Sequence, residues 1–293
     1  MKTTYQSETG TLQSVVIKPA ANALISDQKI GEEWKALNFL GPPDRIVALD
    51  EYQSFESVLT EWNIEIHHLP PDPLLTMDSM YCRDAAIMTD HGAILCRMGK
   101  ASRSGEPEAE ANLFSALGIP ILGRIEGAGT LEGGDVAWLN PSTLAVGRTY
   151  RTNEEGIRQL KSMLEPCGVQ VIVASLPHFR GPSDVFHLMS ILSPVAEDLA
   201  VVYSPLMPIA FRETLLDIGY HLIEVPETEF NRIGCNVLAL SPRICLMVAG
   251  HPVTQQLMAD AGCNVITYAG NEISIKGGGG PTCLTRSLLR QIN

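Results

Sequence analysis

Four short stretches of the 293-residue chain hold side chains suited to covalent catalysis. TMDSMYCRD (76–84) brings Asp78 and Asp84, and GAGTLEGGDV (127–136) brings Glu132 and Asp135. GPSDVFHLMS (181–190) brings His187, and KGGGGPTCLTRSLLR (276–290) brings Cys283 after four glycines and Pro281. A thiol is a nucleophile only as thiolate, an imidazole can move the proton, and carboxylates can orient the imidazole or hold a cation. Each residue alone has a plainer reading: a buried structural cysteine, a satisfied core histidine, an acid serving a turn. Together they point to a Cys–His site. The segment LTRSLLR reads as a helix starting just after Cys283, and its N-terminal dipole would favour the thiolate. The glycines do not make a phosphate loop, because G-x-x-x-x-G-K-[ST] is absent and Lys276 precedes the run.

These residues interrupt a repeat. Five segments share an amphipathic helix, then Gly or Asn, then an alternating strand: FESVLTEWNIEIHHL, EANLFSALGIPILGR, LKSMLEPCGVQVIVA, FRETLLDIGYHLIEV and QQLMADAGCNVITYA. Asn63, Gly118, Gly168, Gly219 and Gly262 stand where each helix must end, a place for residues that tolerate the left-handed backbone. Ahead of most helices lie two apolar runs around a polar turn, as in DAAIMTDHGAILCRM and CNVLALSPRICLMVAG. The unit is strand–strand–helix–strand, and five such units closed into a ring would leave no exposed ends. An ordinary open α/β sheet is the alternative. No linker interrupts the repeats, so residues 1–293 read as one domain. Residues 19–43 are the least regular stretch, either a lid over the site or a surface excursion.

Composition narrows the partners. Lys and Arg number 21 against 33 Asp and Glu, a net charge of −12, which disfavours nucleic acid and anionic membranes. No apolar run approaches the ~20 residues of a membrane-spanning helix. The N-terminus lacks an apolar signal region, and seven unevenly spaced cysteines suggest reduced thiols in a cytoplasm. Neither C-x-x-C nor a His pair at i, i+4 is present, so neither a metal nor another cofactor is expected. Cys283 excepted, the cysteines are read as core-packing residues.

At these residues the chain resembles the guanidino-group-modifying enzymes of the pentein fold, in particular bacterial dimethylarginine dimethylaminohydrolases. LEGGDV (131–136), the HLMS after Asp184, and the glycine run with Cys283 carry the likeness, together with DSMYCRD (78–84), RSGE (103–106) and VGRTYRTNEEG (146–156). The resemblance implies a five-bladed α/β propeller of ββαβ units with pseudo-five-fold symmetry and a small guanidino substrate. A homodimer is compatible with it. By the same resemblance Cys283 would attack the guanidinium carbon, His187 would act as acid and base, and Glu132 would orient His187 or hold the guanidinium. Asp84 would pair with the guanidinium, Arg103 and Arg151 would bind the substrate carboxylate, and Asp78 would meet the amino-acid head group. The product would be citrulline plus an amine, by way of an S-alkylthiouronium on Cys283.

Two positions depart from that pattern. Arg83, before Asp84, stands where the dimethylaminohydrolases tend to carry an acid, whereas arginine deiminases show Arg-Asp there. Met189 stands where arginine deiminases have a second guanidinium-binding Asp, so one side of the guanidinium lacks an acidic partner, which suits a substituted nitrogen. Amidinotransferase and arginine deiminase activities are the enzymatic alternatives. A non-catalytic pentein binding module, of the kind found in ribosome anti-association factors, is the alternative from a different class.

Overall fold

The structure is a computed structural model in which residues 2–292 are described. The five anticipated helices form at Arg45–Glu61, Glu106–Ala116, Glu154–Leu164, Ile209–Ile218 and Pro252–Asp260. Each one, or the short turn that prolongs it, is followed by Asn63, Gly118, Gly168, Gly219 or Gly262, and all five of these have positive φ, from 54° to 107°. A strand then runs parallel to the second strand of the preceding hairpin; Gln170–Ser175, for example, pairs residue by residue with Thr143–Arg148.

The closed five-bladed propeller expected from the repeat is not what forms. The strands make six separate three-stranded sheets, and among the described residues no ladder joins one sheet to the next beyond the isolated bridge Arg97–Leu131, so they are not closed into a propeller or barrel. Four sheets are contiguous hairpin–helix–strand units, built on the hairpins at Ala86–Leu95, Val136–Arg148, Leu192–Val202 and Leu238–Val248. A fifth sheet is assembled from both ends of the chain. Ser14–Ile17 pairs in parallel with Glu65–His68 and antiparallel with Arg286–Ser287. The sixth, Lys2–Thr4, Arg290–Ile292 and Thr11–Leu12, has no helix of its own. Neighbouring units meet through packed side chains such as Leu188, Val195 and Val237, and through scattered hydrogen bonds such as Leu131 N to Arg97 O and Val237 N to Ser193 Oγ, which do not extend into a continuous ladder.

Arg286–Ser287 and Arg290–Ile292 also overturn the helix expected after Cys283. The apolar spacing of LTRSLLR is helix-like, but Ser14–Ile17 presents an unpaired strand edge, and satisfying it decides the local structure. Residues 19–43 are less irregular than expected. They contain helices Ala20–Leu24 and Asp27–Glu33, and Leu24, Ile30, Leu37 and Phe39 are buried in the core. Among the described residues no helix is long and apolar enough to cross a membrane.

Candidate active site

The loops that lead into the hairpins converge on one cavity of about 170 Å³. Each loop is tied down locally. The stretch carrying Glu132 is braced by Asn153, which caps the helix beginning at Glu154 through the N–H of Gly156, accepts from Thr130 N and donates to Ala128 O. Gly133 and Gly134 sit where a Cβ would collide with Arg83 O at 2.3 Å and with His187 Nδ1 at 2.4 Å, so only glycine lets Glu132 approach the imidazole there. The Cys283 segment is held from the opposite side. Glu51, on the helix Arg45–Glu61, accepts the N–H groups of Asn271, Glu272 and Ile273, and Arg83 N donates to Cys283 O.

Cys283, His187, Asp78, Arg151 and Met189 all line the cavity. Glu132 and Asp84 lie immediately behind its wall. His187 Nε2 is 2.8 Å from Glu132 Oε2, and His187 Nδ1 is 3.9 Å from Asp84 Oδ1. That Asp84 oxygen is buried without a hydrogen-bond partner, whereas Oδ2 accepts from Arg103 at 2.5 Å. Asp135 fixes the His187 turn by accepting Leu188 N at 3.0 Å and the Thr149 hydroxyl at 2.7 Å.

The electrostatics follow from this packing. Burial works against a charged His187, but the carboxylates of Asp135 and Asp84 and the bond to Glu132 raise its pKa to about 9. Burial likewise works against ionised Glu132, yet the His187 hydrogen bond and charge, then Arg151 and Arg103, hold it well below the usual carboxylate range. Burial pushes the Cys283 thiol up and Asp84 adds to this; Arg83 and the contacts from Asn236 and Thr282 pull the other way without cancelling it. The packing therefore favours an imidazolium at His187 and opposes ionisation of the Cys283 thiol. With no helix after Cys283, a helix dipole plays no part.

Three residues singled out from the sequence have other charged partners. Arg103 does not line the cavity. It is buried, binds Glu106 in bidentate fashion at 2.9 and 2.7 Å, and donates to Tyr81 O as well as Asp84. Asp78 lines the cavity, but its carboxylate is engaged by Lys100 at 2.6 Å. Arg83 points away into the core, where it pairs with Glu8 at 2.7 Å, and so leaves the cavity's charge balance to Asp84. Arg151 remains available. It lines the cavity, and its Nη1 reaches the two Glu132 oxygens, each at 3.4 Å.

Asn236 was not singled out from sequence, although its amide lies 3.3 Å from Cys283 Sγ. The available signal was positional: it precedes the strand Leu238–Ser241 as Asp84 precedes Ala86–Thr89 and as Cys283 precedes Arg286–Ser287. All seven cysteines are free; five are buried, while Cys167 and Cys283 are half-buried. Asp84, Glu132 and His187 each offer an atom within 4.8 Å of the others, a spacing that could hold a metal ion. A metal there would have to displace the His187–Glu132 hydrogen bond.

The family model for eukaryotic N,N dimethylarginine dimethylhydrolase matches residues 44–290. The N(G),N(G)-dimethylarginine dimethylaminohydrolase of Pseudomonas aeruginosa is 29% identical over 246 residues, covering 84% of this chain and 90% of that protein. The enzyme of the same name from Streptomyces coelicolor is 28% identical, over 75% and 78% of the two chains. The solved structure of the Pseudomonas aeruginosa enzyme with citrulline, a Cys-to-Ser variant, superposes with a TM-score of 0.78 at 24% identity, covering 95% of this chain and all of the other. A solved dimethylarginine dimethylaminohydrolase adduct with 4-chloro-2-hydroxymethylpyridine gives 0.76 at 26%, covering 94% and 100%. The six-sheet arrangement is thus pentein-like.

Proposed function

The chain belongs to the N,N dimethylarginine dimethylhydrolase family, and from that premise we propose that it hydrolyses a C–N bond in the guanidinium of an N-substituted arginine, using Cys283 as nucleophile in a single catalytic domain. The observation that carries this reading is the shared cavity of Cys283 and His187, with Glu132 bonded to the imidazole and an unpartnered Asp84 oxygen behind it. A guanidinium is a poor electrophile, so it calls for a soft, strong nucleophile held beside a planar cation.

In the free site burial and Asp84 oppose the thiolate as a second negative charge. A cationic guanidinium accepted by Asp84 Oδ1 removes that opposition, and the thiol proton departs to solvent. Sulfur then bonds to the guanidinium carbon, giving a neutral tetrahedral adduct. His187, already protonated, donates to the substituted nitrogen; the C–N bond breaks, the amine leaves and a cationic S-alkylthiouronium remains. Neutral His187 next takes a proton from water as the hydroxide adds to the same carbon. Collapse breaks the C–S bond, the hydroxyl proton leaves with the sulfur, and a ureido product, citrulline from an arginine-type substrate, is released. Glu132 keeps the imidazole oriented throughout.

Arg151, which lines the cavity and carries a planar guanidinium fork, suits the substrate carboxylate. Arg103 is better placed to hold Asp84 than to meet substrate. The neutral Met189 wall, with Val185 and Ile233 also lining the cavity, favours an alkylated nitrogen over an unsubstituted one.

Citrulline release from asymmetrically dimethylated arginine is the direct test. Cys283→Ser should lower turnover by at least about 10⁴-fold without loss of fold. Comparable turnover of unmodified arginine would move the assignment to a deiminase, and diversion of the product by added glycine would move it to an amidinotransferase. Full activity of Cys283→Ser would remove the covalent mechanism altogether.

A further inference from the structure

The Cys283 sulfur has one close side-chain donor. Asn236 Nδ2 donates to Sγ at 3.3 Å, while the Thr282 hydroxyl lies at 3.9 Å. The amide is not free to turn, because Asn236 Oδ1 accepts both Thr282 N at 3.1 Å and Thr282 Oγ1 at 2.9 Å. With the oxygen committed twice, the NH₂ group is aimed at the sulfur. Asn236 is only 6% exposed and lines the same cavity as Cys283 and His187.

The surrounding chain is shaped around this contact. A Cβ on Gly280 would stand 2.5 Å from Asn236 Oδ1, so a larger residue there would displace the amide. Cβ atoms on Gly277 and Gly279 would collide with Tyr81 at 1.9 and 2.5 Å. Three of the four glycines are thus packing requirements, and one of them serves Asn236 directly. Asn236 itself is anchored from behind: Asn236 N donates to Ile233 O, and the adjacent Val237 N donates to Ser193 Oγ.

We propose that Asn236 is a catalytic residue of this site, its amide N–H favouring ionisation of Cys283 through a hydrogen bond to Sγ that becomes charge-assisted and strengthens as the thiol loses its proton. An N–H donor to a thiolate is worth more than the same donor to a thiol, so the contact favours the reactive form. His187 makes no hydrogen bond to the sulfur among the described residues: its Nε2 is bonded to Glu132 and its Nδ1 lies 3.9 Å from Asp84 Oδ1. Against burial and the Asp84 charge the sulfur otherwise has only the Arg83 charge and the more distant Thr282 hydroxyl. The inference rests on Cys283 being the nucleophile of the proposed reaction, but its test does not require turnover.

The test is the rate of Cys283 alkylation by iodoacetamide against pH, read by mass spectrometry of the Cys283 peptide in the full-length protein. Asn236→Ala should move the midpoint upward by about one unit and slow alkylation near neutrality by roughly tenfold. Asn236→Asp retains an acceptor for Thr282 but sets a second carboxylate against the sulfur, so its midpoint should rise further. It also guards against Asn236→Ala merely loosening the loop. Thr282→Val releases the amide without removing it and should give a smaller upward shift. Unchanged midpoints in folded Asn236→Ala and Asn236→Asp would overturn the assignment. If alkylation shifts as expected while no guanidino compound is turned over, the thiolate role of Asn236 stands and the substrate reading fails.

Discussion

Arg83 and Asp84 are adjacent on one tight turn, Cys82–Ala85, yet their side chains enter two different buried charge clusters. Arg83 joins Glu8, Arg286 and Arg290 in the core. There the guanidiniums end on Glu8 and on backbone carbonyls: Val136 O for Arg83, Ala86 O for Arg286, Gly10 O and Ala239 O for Arg290. Asp84 joins His187, Glu132 and Arg103 at the cavity, where one carboxylate oxygen has no partner and Arg151 reaches Glu132 only loosely. Both clusters pay for desolvation. The first holds its guanidiniums on Glu8 and backbone carbonyls, leaving only the Nε atoms of Arg83, Arg286 and Arg290 unpartnered, and none of its members lines the cavity, while the second leaves an Asp84 oxygen unpartnered directly behind the cavity wall. Buried charge closed away from the cavity can only serve the fold, whereas a buried carboxylate oxygen left unpartnered and open beside a cavity would gain most from a cation entering it.

The largest effect should come from breaking the closed cluster. Glu8→Gln leaves three buried guanidiniums without their carboxylate, and Arg290 is already lowered to about 10 by burial and by Arg83 and Arg286, despite Glu8. Removing one member of a buried ion pair costs about 3–5 kcal/mol, so a large fall in urea midpoint is expected. Specific activity of the protein still folded should be nearly unchanged. Activity lost at unaltered stability would mean that the two clusters are not separable.

Glu132→Gln is the counterpart at the open cluster, and its effect should fall on rate. Without the carboxylate, His187 loses one of the charges that hold it protonated, so the alkaline limb of activity should move down from the region of about pH 9. A fall in kcat of about 10²-fold is expected for a mis-set acid–base group. The stability signature has a defined sign. The raised His187 contributes stability in full below about 6.5, and this is lost as pH rises through about 9. The depressed Glu132 contributes above about 4.5, and this is lost as pH falls below. Thermal scans of both proteins should therefore differ most between these limits and converge outside them. An unmoved alkaline limb would detach Glu132 from His187.

Local signals carried much of the architecture. Positive φ at Asn63, Gly118, Gly168, Gly219 and Gly262, with the hairpins ahead of four helices, follows from short-range pattern. Long-range pairing was invisible. The first unit lacked a hairpin in sequence because its antiparallel strand, Arg286–Ser287, comes from 270 residues away (286 against 16), and the same strand falsifies the helix read into LTRSLLR. Units that look alike also suggested closure into a ring, but whether edge strands pair is decided by tertiary geometry that the repeat does not encode. At the site, residue types named Cys283, His187, Glu132 and Asp84. They could not tell which arginine lines the cavity, because Arg103 and Arg151 differ only in the company they keep. Asn236 stayed hidden because an asparagine before a strand has many ordinary uses.

That pair of arginines gives the finest test of closed against open charge. Arg103 is locked by Glu106, Asp84 and the Tyr81 carbonyl, whereas Arg151 lines the cavity and holds Glu132 only at 3.4 Å. If Arg151 binds the substrate carboxylate, Arg151→Gln should raise KM about tenfold with a smaller change in kcat, one lost charge-assisted contact being worth about 1.5–3 kcal/mol. The same effect should vanish with a guanidino substrate lacking the carboxylate. Arg103→Gln should instead lower kcat and stability, since it frees Asp84 and strands Glu106, whose pKa burial already pushes to about 7 despite Arg103. A KM effect confined to Arg103 would reverse the assignment and require its side chain to leave two carboxylates on binding, which crystals with bound product would reveal as a broken Arg103–Glu106 pair.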